Sequence, residues 1–385
     1  MFTAFFMTGT LAPLLGASLG ASPAVIGVVI SAAFVFPFFF AIPAGTVVDA
    51  IGPRPMLLTG VALLGAAPLL IVLAPSLATL IVVQILTGLG QLTAVVAAQA
   101  LVASLGAGPL RERNFGWYAA FVSGGQLAGP LLAGVLLDLR GFAVAYAVAV
   151  VAAAVAFVAF TAVQASARAD ASGAGGAPAP RRRGLPTPSD LGRLVRLPTA
   201  QVSLWVSGTV MIVLITHNSF LPAFLDELAV PATVIGLVIS MRSAGSVLIR
   251  PFMAQVVRLL GGRLRTFVVA LATSALGVAG VVGAPNLAIL LVGAALLGLA
   301  IGVAQPLTMV TMVEEVPTET HGVAFGARIT ANRLVQFVAP LLLGLVAQAA
   351  GYAPMFVVAA VAIGVTAVGL VVRRRAYRAI ELGSS

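Results

Sequence analysis

The chain carries much of its own sequence twice. Phe115, Gly116, Gln126, Pro130, Gly134 and Gly141 recur as Phe325, Gly326, Gln336, Pro340, Gly344 and Gly351, each pair 210 positions apart. An earlier stretch, Val25-Ile26-Gly27-Val28-Val29-Ile30-Ser31, returns as Val234-Ile235-Gly236-Leu237-Val238-Ile239-Ser240, and Pro13 returns as Pro222, at a spacing of 209. The repeated stretches are apolar, with glycine and proline at fixed places. The fold must therefore pair two homologous sets of apolar helices.

With 61% hydrophobic residues, 8% charged residues and a mean hydropathy of +1.13, the apolar surface cannot be hidden inside a water-soluble globule of 385 residues. A bilayer crossing takes about 20 apolar residues. Glycine, proline and charge punctuate the sequence into spans at 2–20, 24–45, 55–74, 78–103, 115–138 and 142–163, then 199–225, 233–257, 266–284, 286–313, 324–349 and 353–372. This predicts an all-α integral membrane protein of twelve transmembrane helices. It divides into an N-terminal six-helix bundle over 1–163, a cytoplasmic linker over 164–198, a C-terminal six-helix bundle over 199–372 and a cytoplasmic tail over 373–385. The repeat places the counterpart of Ala200 upstream of Met1, so the first helix is expected to be short. Duplicated apolar helices build many secondary transporters, with the substrate site at the seam between repeats.

Orientation follows from arginine, since the chain has no lysine and positive charge marks cytoplasmic loops. Arg54, Arg111, Arg113, the Arg181-Arg182-Arg183 run, Arg258, Arg263, Arg265 and Arg373-Arg374-Arg375 fall on one side of the twelve-helix arrangement, and Arg140 on the other. Both termini are expected on the cytoplasmic side of a prokaryotic inner membrane. The net charge of +10 is then a topology signal, and no nucleic-acid partner is expected. Without cysteine there is no disulfide, thiolate metal site or cysteine nucleophile. Two histidines and no phosphate loop leave no catalytic, metal or cofactor constellation.

The loop between the second and third spans reads Gly45-Thr46-Val47-Val48-Asp49-Ala50-Ile51-Gly52-Pro53-Arg54. It resembles the Gly-x-x-x-Asp-x-x-Gly-x-Arg loop of the major facilitator superfamily, in the place where that family keeps it. The resemblance implies that Asp49 helps latch the two halves at the cytoplasmic face. Physically, Gly45 admits a neighbouring helix, Gly52 turns the chain, and a carboxylate can meet a helix N-terminus. The second-half copy has Ala254 and Arg258 in place of Gly45 and Asp49. Arg328, near the start of the eleventh span, is the expected latch partner.

Gly125, Gly129, Pro130 and Gly134 resemble the helix-five element of the superfamily's drug:proton antiporter branch, with Ala133 replacing one glycine. Small residues four apart also permit close helix packing in lipid. Gln84 stands before Gly88 where that branch usually has an arginine, and Asp49, Asp138, Asp226, Glu227, Glu314 and Glu315 all lie near span ends. His217, beside Asn218, is the candidate for a proton site among the spans.

The deep charges are positive. Arg242 falls about 13 Å into the eighth span, and Arg333 two to three turns into the eleventh. Charge at such depth marks a pathway or a pair. Arg242 shares a helical face with Ser246 and Arg250; Arg333 shares one with Arg328, Asn332 and Gln336; the fourth span offers Gln84 and Gln91. Arg242 and Arg333 suit a carboxylate or phosphate ligand, whereas Arg250 and Arg328 are assigned structural roles. Phenylalanines crowd the first two spans.

The leading expectation is a monomeric, alternating-access exporter of amphipathic or anionic small molecules in contact with membrane lipids. The resemblance adds proton or counter-ion antiport. Organic-anion uptake or exchange is the alternative, followed by lipid or lysolipid transport on the same fold. A transport-dead membrane sensor is the reading from another class.

Overall fold

The computed structural model describes residues 1–105, 109–170, 196–283, 286–313 and 321–374. The N-terminal elements are α1 (Phe2–Ser18), α2 (Pro23–Ala32), α3 (Val35–Ile51), α4 (Pro53–Leu73), α5 (Leu77–Ser104) and α6 (Pro109–Asp170). The C-terminal elements are α7 (Pro198–Ile215), α8 (Leu221–Glu227), α9 (Ala232–Ile249), α10 (Met253–Leu259), α11 (Arg263–Gly280), α12 (Leu287–Val313), α13 (His321–Ala350) and α14 (Tyr352–Val372). Among the described residues, ten segments are long and apolar enough to cross a membrane, and α1 is a shorter apolar helix. One of the ten, Arg113–Ala162, contains a break at Gly141, whose φ of 78° lies outside the helical region. No strand occurs among the described residues.

Three spans differ from the hydropathy reading. The expected 24–45 span is interrupted after Ala32, because Pro37 offers no N–H to the carbonyl of Ala33. The expected 233–257 span passes through a 3₁₀ turn, Arg250–Phe252, which contains Pro251. The last helix of the first half continues to Asp170, past the boundary read at residue 163. The expected linker and tail lie largely outside the described residues, as do Glu314 and Glu315.

The repeat is visible in the turns. Gly141 and Gly351, 210 apart, have φ of 78° and 90°, and Gly52 and Gly261, 209 apart, have 86° and 72°. The same spacing joins Gly20, at φ 76°, to Ala229, at φ 54°, where the second copy keeps a left-handed turn without the glycine.

The seam between the halves is made by α2 against α13 and by α6 against α9. Both interfaces use the same contacts. A side chain at Gly27 would strike the Pro340 carbonyl, and one at Gly236 the Pro130 carbonyl. A Cβ at Gly344 would lie 2.9 Å from the Pro23 carbonyl oxygen, and one at Gly134 would strike the carbonyl of Ala232. Ser31 donates to the Phe337 carbonyl at 2.8 Å, and its repeat Ser240 donates to the Leu127 carbonyl at 2.7 Å. In lipid, where apolar side chains gain nothing by leaving solvent, such backbone approach and cross-helix hydrogen bonding hold helices together.

The two ends of the seam differ. Near Pro23 and Pro231 one buried cluster includes Leu14, Ile26 and Ile30 of the first half with Phe224, Ile235 and Leu343 of the second. At the far ends of the helices the clusters separate by half, one around Val48, Leu57 and Ala97 and another around Ala200, Met312 and Ala324.

The left-handed alanine gives a direct test. Ala229→Gly should raise the unfolding free energy by about 1 kcal/mol, and Gly20→Ala should lower it comparably, as read by thermal unfolding in detergent.

Candidate functional site

The polar groups buried between helices are concentrated in the second half. Arg242 on α9 is 4% exposed because α12 packs onto its backbone, and any side chain at Gly298 would collide with the Arg242 carbonyl. Its Nη2 donates to Ser243 Oγ at 2.8 Å, and its Nε is buried without a partner. The backbone of Ser246, one turn on, lies against Gly298 and Gly302.

His217 and Asn218 sit in a single π turn, Thr216–Phe220, that widens the helix between α7 and α8. Pro222 follows closely and cannot donate to the carbonyl of Asn218. His217 is 3% exposed and lies close enough to Val238 of α9 and to Arg242 to interact electrostatically with them. His217 Nε2 and Asn218 Oδ1 are buried without partners. The π turn was not expected; Pro222 was its only sequence signal.

On α13, Arg333 is half-buried and its Nη1 donates to Gln336 Oε1 at 3.0 Å. Asn332 Oδ1 accepts from Ser207 Oγ of α7 at 2.7 Å. Gln84, on α5, is buried with Oε1 unpartnered, and Gln91 is half-buried on the same helix. The structure thus places His217 near Arg242 and joins Asn332 to Ser207 and Arg333 to Gln336. No described hydrogen bond joins Gln84 or Gln91 to the arginines.

Among the described residues, Arg242, Arg250, Arg328 and Arg333 bond to hydroxyls, an amide or a carbonyl and not to a carboxylate. Arg328 is 3% exposed, with Nη2 3.5 Å from the Gln305 carbonyl oxygen of α12 and Nε unpartnered. Gly45 and Asp49 belong to α3, but their side chains lie outside the described residues. Gly52 makes the turn expected of it, followed by the half-buried Arg54 at the start of α4.

The helix-five element serves two neighbours at once. Gly125 and Gly129 admit α1, where added Cβ atoms would lie 2.9 Å from Thr3 N and 2.7 Å from Phe6 Cβ. Pro130 and Gly134 face α9 across the seam. Sequence reasoning missed Asp138 at the end of that element. Its carboxylate accepts from the backbone amides of Ala232 at 3.0 Å and Thr233 at 2.7 Å, capping α9 from the other half of the chain.

The helices are duplicated, apolar and long enough to span a membrane, and their buried arginines pair with no described carboxylate, an arrangement that points to a membrane transporter. The sequence matches the Major Facilitator Superfamily over residues 1–217 and 204–383, and the chain belongs to that family. An MFS-type transporter, ppzB of Metarhizium majus (strain ARSEF 297), is 32% identical over 111 residues, a match covering 29% of this chain and 24% of that protein. Among solved structures, a peptide transporter POT in complex with sulfate superimposes with a TM-score of 0.77 at 14% identity, covering 97% of this chain and 93% of that one. A point mutant of the nucleoside transporter NupG gives 0.73 at 15% identity, covering 96% and 97%. These likenesses establish the fold; the family establishes multi-pass membrane transport.

Arg242 is costly where it stands. Replacing Arg242 with methionine should raise the thermal stability of the ligand-free protein, by about 1–3 kcal/mol for removal of an under-bonded buried polar group. A destabilised variant would make Arg242 a structural residue.

Proposed function

We propose that the protein is an alternating-access exporter of amphipathic or anionic small molecules, with Arg242 and Arg333 as the ligand-holding cations. The observation that carries this reading is that both guanidiniums lie within the helix array, bonded to Ser243 and Gln336 and to no described carboxylate. A ligand carboxylate or phosphate would supply the missing charge, by hydrogen bonds stronger than neutral ones. Asn332, Gln336, Ser246, His217, Asn218, Gln84 and Gln91 are assigned as its polar surroundings.

In this reading the chain crosses the membrane twelve times in two six-helix bundles, 1–163 and 199–372, joined by the linker 164–198, and acts as a monomer with both termini cytoplasmic in a prokaryotic inner membrane. The shared core near Pro23 and Pro231 then marks the outer side, and the separated clusters the inner side, which supports an inward-facing state. Proton antiport rests on the helix-five resemblance, with His217 beside Arg242 as the coupling group. Exchange of organic anions without protons is the second reading, favoured by the same uncompensated arginines.

The test is thermal stabilisation of purified protein by a panel of organic anions and lipophilic cations. An anion at one hundred times its Kd should stabilise by about 2.7 kcal/mol, and the effect should vanish in Arg242→Ala and Arg333→Ala. Stabilisation by lipophilic cations, unchanged in both variants, would overturn the assignment.

A further inference from the structure

The two halves of the seam are not equally filled. On the α2–α13 side, Phe38 and Phe337 stack with centroids 6.0 Å apart and planes within 3°. The repeat places Val247 opposite Phe38 and Leu127 opposite Phe337, so the α6–α9 side has two smaller side chains at the same level. Gly124 stands where the other copy has Leu334, and a Cβ there would meet nothing within 4 Å. The result is a cavity of about 480 Å³ between α6 and α9, walled by residues that include Gly124, Leu127 and Val247. That volume lies within the range of about 300–1,000 Å³ that holds a small ligand.

Polar side chains enter this apolar groove at one place. Arg250, where the other copy has Ala41, reaches Ser123 across the groove with Nη1 3.5 Å from the hydroxyl oxygen, and no described carboxylate pairs with it. Leu248 on the same wall is 69% exposed, as is Phe121 on α6, so apolar surface continues outward from the groove. A single cation in an otherwise apolar slot matches a ligand with a single anionic head and one hydrocarbon chain.

We infer that the α6–α9 groove binds a single-chain anionic lipid drawn from the adjoining leaflet, its head group on Arg250 and Ser123 and its chain between Leu127 and Val247. Arg250 is then a ligand residue and not the structural one that its position near a span end suggests. The groove deepens the exporter reading by naming an amphipathic anion and an approach from the membrane. It uses different residues from the Arg242 and Arg333 centre, so the two stand or fall separately.

The experiment is equilibrium binding of radiolabelled palmitate to the purified full chain in neutral detergent. Saturable binding is expected, displaced by unlabelled palmitate and at least tenfold less effectively by hexadecanol, which has the same chain without the charge. Arg250→Gln should weaken binding at least tenfold, as should Val247→Phe, which restores the bulk found on the other seam. Leu127→Phe fills the groove from the opposite wall and covers the case in which Val247→Phe does not fold. Equal displacement by hexadecanol, parent-like binding in both Arg250→Gln and a folded groove-filling variant, or binding weakened by Arg242→Ala and Arg333→Ala while Arg250→Gln leaves it parent-like, would each overturn the groove assignment.

Discussion

The structure depends on backbone meeting backbone across the seam. Gly27, Gly134, Gly236 and Gly344 each bring a helix of one half against a carbonyl of the other, and Ser31 and Ser240 add one hydrogen bond at each interface. Lipid provides no hydrophobic drive for these helices to associate. Their association therefore rests on close packing and on carbonyls that remain accessible to a hydroxyl. The duplicated sequence supplies the same solution twice, related by spacings of 209 and 210.

The proposed site lies where the copies diverge. Thr8 in the first copy corresponds to His217 in the second, Ala33 to Arg242 and Ser123 to Arg333. At these three positions the first copy is neutral and the second carries an ionisable group. The helix starts diverge as well. Ser22 caps its own helix α2 by accepting from Val25 N, whereas α9 is capped by Asp138 from the opposite half. That cap ties the halves together at the end where they share a core, and it must release if that end is to open.

Much of this was legible in sequence because lipid leaves few choices. The apolar runs mark the helices, and the repeat indicated which glycines mattered before their contacts were visible. Gly52 turns the chain as its loop motif required, and Gly125 and Gly129 admit a helix as small residues four apart should. Other features depend on distances that spacing alone does not encode. The break after Ala32, the π turn at His217 and the Asp138 cap each arise from a local competition for backbone hydrogen bonds. Arg250 illustrates the limit at the site: near a span end it reads as structural, and only the mismatch of Val247 and Leu127 with Phe38 and Phe337 reveals the groove beside it. The latch assigned to Asp49 and Arg328 stays a proposal, with Arg328 placed beside the Gln305 carbonyl.

Alternating access, as proposed, requires the end of the seam closed by Asp138 and the paired glycines to separate. The chain has no cysteine, so Asp138→Cys and Thr233→Cys can be introduced as the only thiols and joined by a short bifunctional reagent after reconstitution. Cross-linked protein should still bind its ligand but carry no flux, and reduction of the linker should restore transport. Undiminished flux through the cross-linked protein would show that this end stays closed throughout transport.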